Sequence, residues 1–211
     1  MERKLDDRLS HVFWIGGSPC SGKSTVAATL AGPYGLTVYT CDDAVERHVR
    51  LAGPDRAPVM HRLNHASCDE LWMRPLEQQI SEEIQFYEEE LPFILNDLLA
   101  LPNDRPVIAE GAALMPRLLD GIGIPRTRAI WLVPSPAFQR EHYVRRDWRH
   151  DVLEDCTDRE QAWRNWMERD IGFAGQVVSE AASLGRTCLT IDGRRPLEAI
   201  LLDVRRHFGL G

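Results

Sequence analysis

The stretch Gly17-Ser18-Pro19-Cys20-Ser21-Gly22-Lys23-Ser24 decides the fold. It fits G-x-x-x-x-G-K-[ST] with no mismatch, a loop whose backbone amides cradle phosphate oxygens. Its flanks agree. Before it, His11-Val12-Phe13-Trp14-Ile15 is a short apolar, β-prone run. After it, Thr25-Val26-Ala27-Ala28-Thr29-Leu30-Ala31 reads as a helix. Strand, glycine loop, helix is the context the motif requires.

The residue types explain the chemistry. Gly17 and Gly22 reach backbone angles that a Cβ would hinder. Successive N–H groups then point into one concavity. The helix that starts near Gly22 adds its N-terminal partial positive charge. Lys23 supplies a full charge for the β- and γ-phosphates of ATP, Ser24 is placed to ligate Mg²⁺, and Thr25 can donate to the α-phosphate. The nucleotide-binding set is therefore Gly17, Ser18, Pro19, Cys20, Ser21, Gly22, Lys23, Ser24 and Thr25.

The alternation of periods extends outward from this unit. Further β-rich runs stand at 36–40, 106–109, 129–133 and 187–191, separated by helical stretches. That pattern implies a parallel sheet with helices on both faces. The widest gap, between the second and third strands, is longer than a sheet connection needs. It holds a helix over 43–51, a loop over 52–58, and a helical region over 67–101 broken or kinked near Pro75 and Pro92. We expect a helical cap over about 53–101. After the fourth strand, Ser135 and Pro136 open a helix running to about Arg149. Thr157-Asp158-Arg159-Glu160 reads as a capping box that starts another, and Gly185 is placed to end it. Its tryptophans read as core packing. A short lid falls at about 150–158, and the whole, 1–211, reads as a single domain.

Bulk numbers narrow the function classes. Of the 211 residues 44% are hydrophobic and 27% charged, ordinary values for a globular chain. The net charge of -7 argues against a nucleic-acid partner but not against a nucleotide, for which one local cationic cluster suffices. No apolar run reaches membrane-spanning length, so no membrane partner is expected. The N-terminal residues 1–7 read as a polar leader rather than a secretory signal. The five cysteines are scattered, odd in number and without C-x-x-C spacing, which fits a reducing cytoplasm.

Several other residues carry chemistry. In Cys41-Asp42-Asp43 a carboxylate follows the second strand, at the edge where ligands bind in this fold class. Asp42 is assigned to the crevice, to orient or deprotonate a hydroxyl or to hold a water on Mg²⁺, and Asp43 to capping. Glu110 ends the third strand, where it can order the Mg²⁺ shell, and Gly111 lets the backbone turn close to the ligand. The metal set is thus Ser24, Asp42 and Glu110. Arg140, Arg145, Arg146 and Arg149 crowd one predicted helix, with Arg145 and Arg149 on one face. Phosphate and surface carboxylates such as Glu141 are both open as their partners. Arg117 is a weaker candidate for substrate, and Arg194 for the adenine flank. His61, His65 and Cys68 have a spacing that permits a metal, with a surface role as the alternative.

With these residues in place, the chain resembles the P-loop kinases, specifically the nucleoside-monophosphate-kinase-like group that includes gluconate, shikimate and chloramphenicol phosphotransferase types. The resemblance implies a three-layer α/β fold with sheet order 2-3-1-4-5, a substrate-side cap and a mobile arginine-bearing lid. It places an acceptor-binding aspartate at Asp42 and lid arginines at Arg145 and Arg149. The chain departs from the group in lacking the D-x-D of the shikimate type and any nucleoside-monophosphate signature. It also has no N-K-x-D or L-S-G-G-Q run.

The expectation is an ATP- and Mg²⁺-dependent cytoplasmic kinase of a small hydroxyl-bearing acceptor, with Lys23, Asp42, Arg145 and Arg149 as catalytic residues. Two alternatives stay open: a regulatory or toxin-like ATPase that uses the nucleotide as a switch, and a nucleoside, nucleotide or polynucleotide kinase. The acceptor and the oligomeric state are not fixed by the sequence.

Overall fold

The computed structural model describes residues 8–211; the polar leader expected at 1–7 lies outside the described residues. Five parallel strands form one sheet: β1 (Val12–Gly17), β2 (Thr37–Thr40), β3 (Val107–Glu110), β4 (Ala129–Pro134) and β5 (Cys188–Ile191). Their order is β2-β3-β1-β4-β5, as the resemblance implied. The central strand β1 is buried along its whole length. Trp14 stands in register with Ala109 on one side and Ala129 on the other, and Ile15 with Glu110 and Ile130.

Alternate side chains of these strands feed two cores, as the period of two requires. Val12, Trp14, Ala109, Ala129 and Trp131 face one way. There they meet α5 (Leu76–Ala100), α6 (Pro116–Gly121) and α9 (Arg159–Ser183), through Leu91, Ile94, Leu119, Phe173 and Val177. Phe13, Ile15, Ile108, Ile130 and Leu132 face the other way, onto α1 (Lys23–Tyr34) and α10 (Leu197–Phe208). Trp14 and Trp131 are fully buried, which stabilises the fold by about 1.5–3 kcal/mol per large apolar side chain.

Between β2 and β3 the chain forms α2 (Cys41–Leu51), α3 (Pro58–Asn64), α4 (Cys68–Trp72) and α5. Ser67 caps α4 in a reciprocal capping box with Glu70. Pro75 does break the helical region, but α5 runs on through Pro92, which lies on its exposed side. Glu89 of α5 accepts hydrogen bonds from the Val59 and Met60 amides at 3.2 and 2.8 Å, so a distant carboxylate serves the start of α3.

Two boundaries differ from expectation. The helix opened by Ser135 is α7 (Pro136–Tyr143) and ends well short of Arg149, which instead starts the short α8 (Arg149–Val152). Arg145 and Arg149 therefore do not share one helix face. The cap of α9 is Asp158, whose side chain accepts from the Gln161 amide at 2.9 Å, one residue later than expected.

Two long-range ties hold the segment between β2 and β3. Asp97 of α5 accepts hydrogen bonds from Tyr39 (2.8 Å) and from Arg47 (2.7 Å), and it pairs with His48 at 2.8 Å. The other ring nitrogen of the fully buried His48 faces Glu90 at 2.9 Å. The network locks α5 onto β2 and α2. The second tie is a disulfide between Cys68 of α4 and Cys156, just ahead of α9. The scattered cysteine pattern, read as fitting a reducing cytoplasm, thus holds one bridge, with Cys20, Cys41 and Cys188 as free thiols. The bridge spans 88 residues of sequence, a pairing that spacing alone does not reveal.

Cys68→Ser and Cys156→Ser should each lower unfolding stability by about 2–4 kcal/mol, and dithiothreitol should lower the denaturation midpoint of the wild type but not of either variant. Burial opposes ionisation of Asp97, but its bonds from Arg47, His48 and Tyr39 outweigh that and hold the carboxyl below its usual range. The stability it adds is therefore present above the ordinary carboxylate pKa and lost as the pH falls. Melting curves should show wild type losing more stability than Asp97→Asn below about pH 4.

Candidate functional site

The loop between β1 and α1 sits over the carboxyl end of the sheet. Gly17 packs so closely on β4 that a Cβ there would overlap the Leu132 carbonyl. At Gly22 there is open space; the left-handed angle, φ 81°, selects glycine. Cys20 also takes a positive φ, 64°. The turned loop buries the Ser18 and Ser21 side chains, and among the described residues neither hydroxyl has a hydrogen-bond partner. Buried hydroxyls are almost always satisfied, so two orphans in one loop mark a place built for a polar ligand.

Lys23 points back into the loop and donates to the Ser18 carbonyl at 2.9 Å. Burial depresses its pKa, and the negative charges of Glu110 and Asp42 oppose that. Glu110 is itself buried, which raises its pKa against the lowering pull of Lys23 and of a hydrogen bond with Ser24. One Glu110 oxygen, Oε1, has no hydrogen-bond partner among the described residues. Ser24, Lys23, Glu110 and Asp42 thus come together at the ends of β1, β3 and β2. Neither aspartate caps α2, whose N-cap is Thr40; Asp42 lines the adjoining cavity. Gly111 is glycine for a different reason than expected: a Cβ there would run into the Cys41 side chain, not toward a ligand.

Two cavities flank the loop. One, of about 390 Å³, is lined by Cys20, Ser21, Gly22 and Thr25, by Phe138 and His142 of α7, and by Arg145, Arg146, Gly193 and Arg195. The Phe138 and His142 rings stack at 3.7 Å and form a flat wall. The other, of about 440 Å³, opens beside Asp42 and is walled by α2, α4 and α5.

The arginines divide between these places. Arg145 lines the loop cavity but pairs with Glu141, the surface alternative raised by the sequence. Arg146 lines the same cavity and acts electrostatically on Cys20, and among the described residues no carboxylate pairs with it. Its guanidinium lies 5.1 Å from the Tyr143 ring and 5.5 Å from that of Trp148. Arg149 is carried elsewhere: it sits over Trp163 at 5.2 Å and lines a third cavity with His150, Arg159 and Arg164. Arg140 pairs with Glu168, and Arg117 is held by Glu180 and Glu88. Arg194 projects outward, 88% exposed, next to Asp192, while its neighbours Gly193 and Arg195 line the loop cavity. His65 bonds to the His61 carbonyl and Cys68 is in the disulfide; among the described residues no cluster of three metal-ligating side chains forms.

The sequence reading missed the Phe138–His142 wall and the weight of Arg146 over Arg149. The first had a signal, two rings four apart on the helix capped by Ser135. The second had none, because it depends on where α7 stops. It also missed Arg169, a half-buried guanidinium bonded to Asp170 at 2.7 Å and to Glu83 at 3.2 Å, which lines the cavity beside Asp42.

No family model matches the chain, and no curated protein sequence does. Among solved structures, it is similar to a Chloroflexus aurantiacus J-10-fl protein described as a "putative kinase", at 16% identity and TM-score 0.39, covering 93% of this chain and 97% of that one. It is also similar to TT1252 from Thermus thermophilus, at 17% identity and TM-score 0.46, covering 92% and 97%. No helix among the described residues is long and apolar enough to cross a membrane.

Ser18→Ala and Ser21→Ala should leave thermal stability unchanged or slightly raised, because each removes a buried hydroxyl that bonds to nothing. Each should weaken pyrophosphate binding by about 1 kcal/mol in calorimetry, about a fivefold rise in Kd.

Proposed function

We propose that this chain is an ATP- and Mg²⁺-dependent phosphotransferase that acts on a small hydroxyl-bearing acceptor. The single observation that carries this reading is the set of buried, unpartnered polar atoms around Lys23: the Ser18 and Ser21 hydroxyls and the Glu110 Oε1 oxygen. Two donors and a cation suit phosphate oxygens. A carboxylate oxygen beside Ser24 suits a hydrated cation that accompanies them.

In this reading the loop amides, Ser18, Ser21 and Thr25 bind the phosphates, and the base lies toward the Phe138–His142 wall, flanked by Gly193 and Arg195 rather than Arg194. Ser24 and Glu110, with Asp42 nearby, would hold Mg²⁺, which when bound neutralises phosphate charge. Lys23, desolvated in its loop, stabilises the charge of the moving phosphoryl group more strongly than an exposed lysine would. Arg146, which like Lys23 acts electrostatically on Cys20, joins it in place of Arg149. Asp42 orients the acceptor hydroxyl and accepts its proton as the new bond forms. Within the 53–101 cap the part ahead of α5 is the moving cover, since α5 itself is packed on the sheet, and 150–158 acts as a lid. The disulfide, together with the bond from the Thr157 amide to Asp69 at 2.9 Å, makes the two close as one piece. Closure excludes water, which would otherwise compete as acceptor.

Incubation with radiolabelled ATP and pools of sugars, nucleosides, alcohols and nucleic-acid ends tests the reading; label must pass to a hydroxyl compound, and ATP binding with no transfer to any pool would favour a nucleotide switch instead. Lys23→Ala should abolish measurable transfer with the circular dichroism spectrum unchanged. Asp42→Asn should lower kcat by about 10²–10⁴-fold while the Kd for ATP stays nearly constant. Equal losses in both would make Asp42 structural.

A further inference from the structure

The cavity beside Asp42 also restricts what can enter it; its role as acceptor site rests on the phosphotransferase reading, its ligand class does not. Much of its wall is apolar: Val45 and Val49 of α2, Leu63, Leu71 and Phe86, with the Trp72 indole at one side. At about 440 Å³ it is sized for a compact ring-bearing molecule.

Its charged groups are four carboxylates, Asp42, Glu46, Glu83 and Glu90, and two guanidiniums, Arg74 and Arg169. Both guanidiniums already hold carboxylates, and the one donor left over is the buried Arg74 Nε, which has no hydrogen-bond partner among the described residues. Arg169 holds Glu83 and Asp170 and lies over the Trp72 ring at 4.6 Å. Arg74 pairs with Glu82, which also takes Arg62 at 2.9 Å. Glu90 is matched by His48. Burial pushes the Glu83 carboxyl up to about 7 and raises Glu90 too, so part of this acidity is muted near neutrality. Asp42 stands beside Lys23 and Glu46 pairs at 3.5 Å with the exposed Arg50, so neither carboxylate is matched by a cation of the lining itself. An entering carboxylate or phosphate would face them. To gain a cation it would have to strip a partner from Arg74 or Arg169 and leave that partner buried and unpaired, a costly exchange.

We propose that the cavity takes an alcohol with an apolar, ring-sized body and no negative charge, its hydroxyl toward Asp42. Hydroxy acids, sugar acids and nucleoside monophosphates are excluded on charge.

Three probes of nearly equal shape test this with the wild-type chain: phenylethanediol, which is neutral, phenylethanolamine, which is cationic, and mandelate, which is anionic. All share the ring and the benzylic hydroxyl. Binding is read by calorimetry with the ATP analogue AMP-PNP present, so that no turnover is needed. The diol and the amine should bind, and mandelate should bind at least about tenfold more weakly. Phe86→Ala should weaken the diol and the amine alike. Glu46 is exposed, so Glu46→Lys should fold normally, and it should narrow the gap by strengthening mandelate about threefold or more. Mandelate binding as well as the diol, or none of the three binding, would overturn the proposal. Binding of the diol with no label transferred from ATP to any alcohol would leave the ligand class standing and remove the phosphotransferase reading alone.

Discussion

The burial of one charge, that of Lys23, sets the terms for the rest of this structure. An ammonium removed from water costs several kcal/mol unless something compensates it. Here the compensation comes from a carbonyl of its own loop and from the carboxylates Glu110 and Asp42. Those two sit far from Lys23 in sequence. They reach it because β3 lies between β1 and β2, so the carboxyl ends of three strands open at one place. The sheet order is thus an electrostatic requirement as much as a packing result. The same arrangement leaves the Ser18 and Ser21 hydroxyls and a Glu110 oxygen without partners. A fold tolerates such orphans where a ligand completes them.

A second balance of charge organises the segment between β2 and β3. The run Ser81-Glu82-Glu83-Ile84-Gln85-Phe86-Tyr87-Glu88-Glu89-Glu90 has the look of a solvated helix face. In the structure Glu82, Glu83 and Glu90 are buried. Each finds a partner from elsewhere: Glu82 the guanidiniums of Arg62 and Arg74, Glu83 that of Arg169, and Glu90 the His48 ring. Glu89 serves the start of α3. Paired charges of this kind add little net stability over apolar residues, but breaking a pair is costly. They fix how α5 sits on α2 and α9 and so shape the cavity beside Asp42. The proposed selection by charge rests on this balance of apolar wall and ion pairs and needs no residue dedicated to the task.

The reach of sequence reasoning followed the range of the physics. The phosphate loop, the strand positions and the cap at Ser135 rest on contacts within a few residues, and they could be read directly. Two-sided burial of β1 was legible in its continuous apolar run. The stop of α7 at Tyr143 was not, because residues 144–149 are ordinary helix formers and aromatic packing of Tyr143 and Trp148 around Trp166 turns the chain instead. That one boundary moved Arg149 out of the loop cavity and Arg146 into it. Gly111 was read correctly as a close approach, but the approaching atom is Cys41. The pairing of Cys68 with Cys156 lay wholly outside local pattern.

What the chain determined by itself was therefore the local geometry: a strand, a left-handed turn at Gly22 and a helix start whose amides converge, since these depend on φ, on the absence of a Cβ and on i to i+4 bonding. Tertiary structure alone decided which arginine faces the loop, which cysteines pair, and which acidic side chains of α5 are buried and matched. Those outcomes depend on pairing across tens of residues. Charges act through space, and a linear sequence does not encode which of several equivalent side chains the packing brings within range.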